Sequence, residues 1–468
     1  MSASSDTPVV VGQPPYTRRS SYGPNSPVVG SRGALTRQQI VDAALLCFTE
    51  RGFHATAVEE IAAGAETSRA TLYQYFESKE AIFVELMLEA GGALVRVNQR
   101  LGPLGPTADG FTNMHRWLEE WSTVFDRYSA MFVEWANVSS PQAPLRRRLA
   151  TFVDLHTAWF SEVLRDGGYV GPRPDAASIL TLSLCSRFNY IRHVYRPGPS
   201  DARLLDSLAT AIQLFLFPAT PHHVLDSWAA VVPLDAPNGQ EAAVTTLPPP
   251  IPDIGPLATL PDRSEIPVSA PFAGLSQQSA RTVRTLLDAA GRVFAANGYD
   301  AANVDQIVTE AGLARGTYYR YFDDKLELMI ALASECAAQM CPVLGEFAAA
   351  ANTRDDGREL RGWLHRFLVL QRSYAGVLRA WTEGFPIDAS VLAPAADVVS
   401  ALGDAVAATF GPKRSYALDR RAAGMMLAGL LEHFPNEGAG SFHEPTDDDI
   451  IETQAVFVQR VLLARPEG

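Results

Sequence analysis

The chain is short of the features that mark an exported protein, a membrane protein or an enzyme. Only four cysteines occur in 468 residues, too few for a disulfide framework. Cys47 falls on an apolar helical stripe and Cys185 in an apolar run, while Cys336 and Cys341 stand five apart, off the spacing that puts two metal ligands on one helix face. All four read as reduced, packed thiols. The opening Met1-Ser2-Ala3-Ser4-Ser5-Asp6 has neither a basic nor an apolar region, and no apolar run approaches about 18 residues. A cytoplasmic protein with no membrane partner is expected. There is no nucleophile elbow, phosphate loop or paired-carboxylate motif, and neither His193 nor His222-His223 stands at a recurring metal-ligand spacing, so no enzyme, metal or cofactor is expected. Sustained apolar–polar alternation is missing, which argues against sheet. Basic excess is missing too. The formal net charge is -13, so any nucleic-acid contact must rest on a local patch.

What is present is a repeat. Thr36–Phe83 aligns with Thr282–Met329 without a gap at a constant step of 246 residues, with 16 identities in 48 positions. Unrelated chains of ordinary composition coincide at roughly one position in fifteen. The same step pairs Trp117 with Trp363, Tyr128 with Tyr374, Trp135 with Trp381 and Phe188 with Phe434. The duplicated unit is therefore about 200 residues, and it decides the architecture.

Each copy reads as helical. Ile40, Ala43, Ala44, Cys47 and Phe48 follow the stripe of an amphipathic helix, and Leu286, Ala289, Ala290, Val293 and Phe294 repeat it. Gly52 and Gly298 stand where these helices should end. Thr56-Ala57-Val58-Glu59 reads as a capping box, and Asn303 as the matching cap. The expected organisation is an all-α chain: a disordered arm over 1–33, a three-helix head over 34–83, a helical body over 84–235, a Pro-rich linker over 236–275, a second head over 276–329 and a second body over 330–468.

The heads carry the chemistry. Residues 61–80 and 307–325 read as helix, tight turn, short helix and the start of a long helix, the layout of a helix-turn-helix. Ile61, Ala65, Leu72 and Phe76 pack inward. Arg69, Thr71 and Gln74 then face a groove, where Arg can bond guanine and Gln adenine bidentately. Tyr73, Tyr75 and Lys79 are placed to meet phosphate.

Both heads resemble the TetR family of bacterial regulators, whose motif runs Ile-Ala, then Ala-Gly-Val-Ser-x-Gly-Thr-Leu-Tyr-x-Tyr/His-Phe, then Lys. The resemblance spans about 50 residues per copy. It implies a short third helix in the major groove and backbone contacts from the Tyr and Lys positions, with these roles on Arg69, Thr71, Tyr73, Tyr75 and Lys79, and on Arg315, Thr317, Tyr319, Tyr321 and Lys325. Arg320 stands where the first copy has Gln74. The first copy departs at Glu66 and Ala70, where the family has glycines; Glu66 would repel phosphate, so head one is expected to bind less firmly. Ala314 replaces the capping Ser of the second copy. The head charges are 4 − 7 = −3 for 35–83 and 6 − 7 = −1 for 281–329.

In the bodies, Trp117, Trp121, Phe125, Tyr128 and Trp135, with Trp363, Phe367, Tyr374 and Trp381, lie at helical spacing. They are core, or else the lining of an apolar ligand pocket. The resemblance implies double-stranded DNA and a small, largely apolar effector as partners, repression as the default, and a cytoplasmic, nucleoid-associated protein when DNA is bound. Such regulators act as two-fold dimers with recognition helices about 34–36 Å apart. Here one chain is expected to replace the dimer, its bodies pairing through 176–194 and 201–217 against 420–433 and 448–463, on an imperfect or absent palindrome, with further homodimerisation open. The competing expectation is a helical small-molecule-binding or interaction module whose heads have lost DNA binding.

Overall fold

The structure is a computed structural model and describes residues 31–53, 55–132, 143–195, 201–229, 274–299, 301–353, 355–382, 389–409, 418–437 and 442–463. Trp135, the arm up to residue 30 and nearly all of the Pro-rich stretch lie outside these. Among the described residues every regular element is helical. The chain divides into two compact units, residues 1–92 with 128–134, and residues 93–127 with 135–468.

Unit one is the first head. It holds α1 (Ser31–Arg51), α2 (Val58–Gly64), α3 (Arg69–Tyr75) and most of α4 (Lys79–Gln99). The apolar stripe of α1 closes over the others: Ile40, Ala44, Phe48, Ile61, Leu72, Phe76, Ile82 and Phe83 are buried. Phe53 sits 5.2 Å, ring centre to ring centre, from both Phe48 and Phe83. Gly52 ends α1 with φ +80° and donates its N–H to Phe48 O at 2.9 Å. The box expected at Thr56 is displaced by one residue. Ala57 is the N-cap, and the Glu60 carboxylate accepts its N–H at 2.9 Å. Thr56 is buried and turns its hydroxyl back to Gly52 O at 2.8 Å, satisfying the exit from α1 instead of the entry to α2.

Unit two contains body one, head two and body two. Body one has α5 (Ala108–Arg127), α6 (Ala143–Asp166), α7 (Pro174–Tyr195), α8 (Asp201–Leu216) and α9 (His222–Ala229). Head two has α10 (Gln277–Asn297), α11 (Val304–Ala311) and α12 (Arg315–Tyr318). Body two has α13 (Lys325–Asn352), α14 (Arg358–Ser373), α15 (Ala375–Thr382), α16 (Ala389–Thr409), α17 (Arg420–Ala428), a π-helical turn Gly429–His433 leading into α18 (Phe434–Glu437), and α19 (Asp447–Phe457) with a π-helical turn Val458–Leu462. Asn303 caps α11 as expected: its carboxamide oxygen accepts the Gln306 N–H at 2.9 Å and Gln306 returns the bond at 3.0 Å. Helix α13 is long and apolar enough to cross a membrane, but Leu328, Leu332, Cys336, Met340, Leu344 and Phe347 along it are buried within the unit.

Head two is tied to body two by a buried polar network. Arg284 of α10 donates to Glu335 of α13 at 2.8 Å, and the Tyr374 hydroxyl between α14 and α15 donates to the same carboxylate oxygen at 2.8 Å. Arg284 is 7%, Glu335 2% and Tyr374 1% exposed. Helix α15 lies directly on α10, because a Cβ at Gly376 would come within 2.6 Å of Gly291 O. Arg379 adds a bond to Ala295 O at 3.0 Å. One step of 246 earlier, Gln38 holds the place of Arg284 and meets Glu89 at 3.1 Å in an exposed pair.

The two bodies meet through their last helices. Helix α7 packs on α17, the Gly429–His433 turn, α18 and α19, and α8 packs on α17 and the Val458–Leu462 turn. Arg187 pairs with Glu432 at 2.9 Å and Arg203 with Asp419 at 3.2 Å. Arg460 donates to Phe215 O at 2.7 Å and Val170 O at 2.8 Å, and Phe215 meets Phe457 at 5.5 Å.

Candidate nucleic-acid interface

The turn between the second and third helices is built identically in both heads. Glu66 and Thr67 donate to Ala63 O and Ala62 O at 3.0 and 2.9 Å; Gly312 and Leu313 donate to Thr309 O and Val308 O at 3.1 and 2.9 Å. The first turn residue is left-handed in each, with φ +50° at Glu66 and +65° at Gly312. Left-handed backbone costs an L-residue about 1–2 kcal/mol, and glycine gives part of that back through its freer unfolded state. Glu66→Gly is therefore expected to stabilise unit one by roughly 0.5–1 kcal/mol, and Gly312→Ala to destabilise head two by a similar amount. Thermal denaturation monitored by circular dichroism checks both; a lower midpoint for Glu66→Gly would refute the strain.

The third helices differ. In head one, Ser68 accepts the Thr71 N–H at 3.1 Å, and α3 runs seven residues. In head two, Ala314 offers no side-chain acceptor, and α12 is a single turn of four residues. Each is pinned by buried side chains on its inner face: Leu72 and Phe76, then Tyr318 and Phe322. Tyr318 donates its hydroxyl to Asp324 O at 2.8 Å, and burial pushes that phenol well above its ordinary value.

With the inner face fixed, Arg69, Tyr73, Arg315, Tyr319 and Arg320 are exposed, and Thr71, Gln74, Tyr75, Thr317 and Tyr321 are half-buried. The exposed arginines lie in matched settings. Arg69 pairs with Glu59 of α2 at 2.5 Å, and Arg315 pairs with Asp305 of α11 at 3.1 Å. Each guanidinium also sits over a tyrosine ring, 5.5 Å from the Tyr73 centre and 5.6 Å from that of Tyr319. The tyrosine hydroxyl first, then the carboxylate, holds each arginine above its already high ordinary value.

The lysines are also held within the heads. Lys79 donates to Phe53 O at 2.6 Å and Thr56 O at 2.9 Å, and Lys325 donates to Tyr299 O at 2.6 Å and Ala302 O at 2.9 Å. Each ammonium also lies over the ring beneath it, at 4.5 Å from Phe53 and 4.2 Å from Tyr299. Half-buried and bonded to two carbonyls, each lysine fastens the loop between the first two helices to the start of the fourth. In sequence Glu59 reads only as the acid of a capping box and Asp305 carries no role, although an acid ten residues before the arginine in both copies is a legible signal.

The body aromatics form core. Trp117 donates to Asn98 Oδ1 at 3.1 Å and stacks on Phe160 at 5.6 Å; Trp121 stacks on Phe125 at 6.3 Å. Trp363 donates to Val343 O at 2.6 Å and meets Phe347 and Phe367 at 4.8 and 5.3 Å. Trp381 donates to Val391 O at 2.9 Å. Tyr128 is buried and belongs to unit one. Among the described residues no cluster of three or more His, Cys, Asp or Glu could hold a metal ion.

Comparison with known proteins agrees with this geometry. The family model for bacterial regulatory proteins of the tetR family matches residues 40–86 and again residues 286–332. The HTH-type transcriptional repressor AcnR of Corynebacterium diphtheriae is 39% identical over 70 residues, 15% of this chain and 37% of that protein. The HTH-type transcriptional activator FasR of Mycolicibacterium smegmatis is 29% identical over 147 residues, 31% of this chain and 65% of that protein. The chain thus spans less than two thirds of the length of either relative. The solved structure of the TetR family regulator PfmR from Thermus thermophilus is 25% identical, with 38% of this chain and 96% of that one covered and a TM-score of 0.31. The chain thus carries, in tandem and 286 − 40 = 246 residues apart, two heads that match the model of the tetR family of bacterial regulatory proteins.

Proposed function

We propose that the chain is a DNA-binding transcriptional regulator, acting as a repressor, in which one polypeptide supplies both heads of a pseudo-dimer. The observation that carries this reading is the packing of α7 and α8 on α17, α19 and their π-helical turns: the two bodies, both within unit two, cover each other's last helices, the surface a separate subunit would otherwise take. Head one offers Arg69, Thr71, Tyr73, Gln74, Tyr75 and Lys79, and head two offers Arg315, Thr317, Tyr319, Arg320, Tyr321 and Lys325. Because Gln74 answers to Arg320 and α3 is longer than α12, the operator is asymmetric or an imperfect palindrome. A small, largely apolar effector bound in a body shifts the balance between DNA-competent and incompetent arrangements, which requires different affinity for the two.

The test is binding to a duplex from upstream of the chain's own reading frame, titrated across salt and read for stoichiometry. Expected are one chain per duplex and an affinity that falls linearly in log–log form with salt. No binding at low salt would overturn the reading.

A further inference from the structure

The matched acid–arginine–tyrosine groupings recur at equivalent points of the two heads. Glu59 and Asp305 occupy equivalent places on α2 and α11, Arg69 and Arg315 open the third helices, and Tyr73 and Tyr319 lie one turn on. The pair distances are 2.5 and 3.1 Å and the cation–ring distances 5.5 and 5.6 Å. The sequence around them has diverged, and the acid itself has changed from Glu to Asp, yet the arrangement is kept. An acid in the first turn of α2 or α11 favours the helix N-terminus, but that does not require the arginine opposite it. Both partners are more than half exposed in each head, and exposed ion pairs contribute little to stability. The exposed face of a third helix is also where a DNA-binding head has most use for an unencumbered cation.

Resting on the regulator reading above, we infer that Glu59 and Asp305 are specificity-determining residues that hold Arg69 and Arg315 in check until the right base edge replaces them. The physics is a competition. A single phosphate offers the arginine a charge partner no better than the carboxylate it already has, so exchange on random DNA gains little. A guanine edge accepts two bonds from the planar guanidinium, and the tyrosine ring keeps that plane oriented while the carboxylate lets go. The acid therefore lowers affinity for random sequence more than for the operator and widens the ratio between them, the quantity that matters when competing sites are abundant. Its negative charge also cancels one cation per head in the contact with phosphate, which flattens the salt dependence of non-specific binding.

The experiment compares the full-length chain with Glu59→Gln, Asp305→Asn and the double variant, by fluorescence anisotropy on a random-sequence duplex and on the upstream duplex. Expected is about two- to fivefold tighter binding to random DNA per head, about tenfold for the double variant, with a salt slope steeper by about 1 per head. Operator affinity rises less, so the specificity ratio falls, and melting midpoints drop by no more than about 4 °C, the effect of losing a first-turn acid. Repeating Glu59→Gln on an Arg69→Ala background separates the latch from a general change of charge: the gain disappears if the acid acts through Arg69. Unchanged random-DNA affinity and slope, or a gain that survives Arg69→Ala, overturns the inference and leaves the regulator reading standing. Absence of binding to either duplex by the parent chain overturns both.

Discussion

Replacing Arg284 with alanine is expected to cost unit two about 3–5 kcal/mol of stability, the largest single-residue effect expected in the chain. Glu335 is 2% exposed and lies within 2.8 Å of the Arg284 guanidinium. Truncating the arginine leaves the carboxylate desolvated without its cation, and the Tyr374 hydroxyl bond to it does not neutralise the charge. An uncompensated buried charge is far costlier than the pair was beneficial. The repeat supplies the control. Gln38 stands at the equivalent place with an exposed amide–carboxylate bond to Glu89, so Gln38→Ala is expected to change the stability of unit one by no more than about 0.5 kcal/mol. Urea unfolding followed by hydrogen exchange in α10 and α1 measures both. Equal losses at the two sites would contradict the asymmetry. Glu335→Gln distinguishes charge from packing: it keeps the shape of the network and is expected to be milder than Arg284→Ala.

Disabling one head with Arg69→Ala and Tyr73→Ala together is expected to lower affinity for the complete operator by about 10²–10⁴-fold. In the pseudo-dimer reading, the second head is delivered at the high effective concentration set by the covalent connection, so losing one head removes an intramolecular contact and leaves single-head binding. The matching pair Arg315→Ala and Tyr319→Ala is expected to fall in the same range. Both variants replace exposed side chains, so their melting midpoints should stay close to that of the parent. A loss of only a few-fold would mean that one head carries the binding alone. Titration of a labelled operator and of each separated half-site gives the comparison.

The sequence carried the architecture well because the architecture is periodic. The 246-residue step, the stripes of α1 and α10 and the glycines at 52 and 298 are all one-dimensional patterns, and each corresponds to a local element. Asn303 was readable for the same reason, since a cap and its partner lie three residues apart. What escaped was decided by the third dimension. Thr56 looks like a cap in sequence, but its hydroxyl is buried against the end of α1 and bonds there. Lys79 and Lys325 read as phosphate contacts, while their bonds to the carbonyls of the loop beneath them are not legible in the sequence. The Arg284–Glu335–Tyr374 network joins residues 51 and 39 positions apart, and nothing local marks it. The aromatic stripe reads first as core, with a pocket lining as the alternative, and the stacking of its rings is not legible in the sequence. The third helix of head one is also the longer and better capped, because Ser68 supplies a cap that Ala314 cannot.

Whether one chain presents both DNA-binding heads of a regulator is decided by the mass of its complex with DNA. Sedimentation or native mass measurement on the complete upstream duplex, joined to a footprint, reads it. Expected are a single chain on each duplex, two protected half-sites of unequal sequence, and an affinity that does not fall as the protein is diluted. Two chains on each duplex, protecting a perfect palindrome, would refute the single-chain pseudo-dimer.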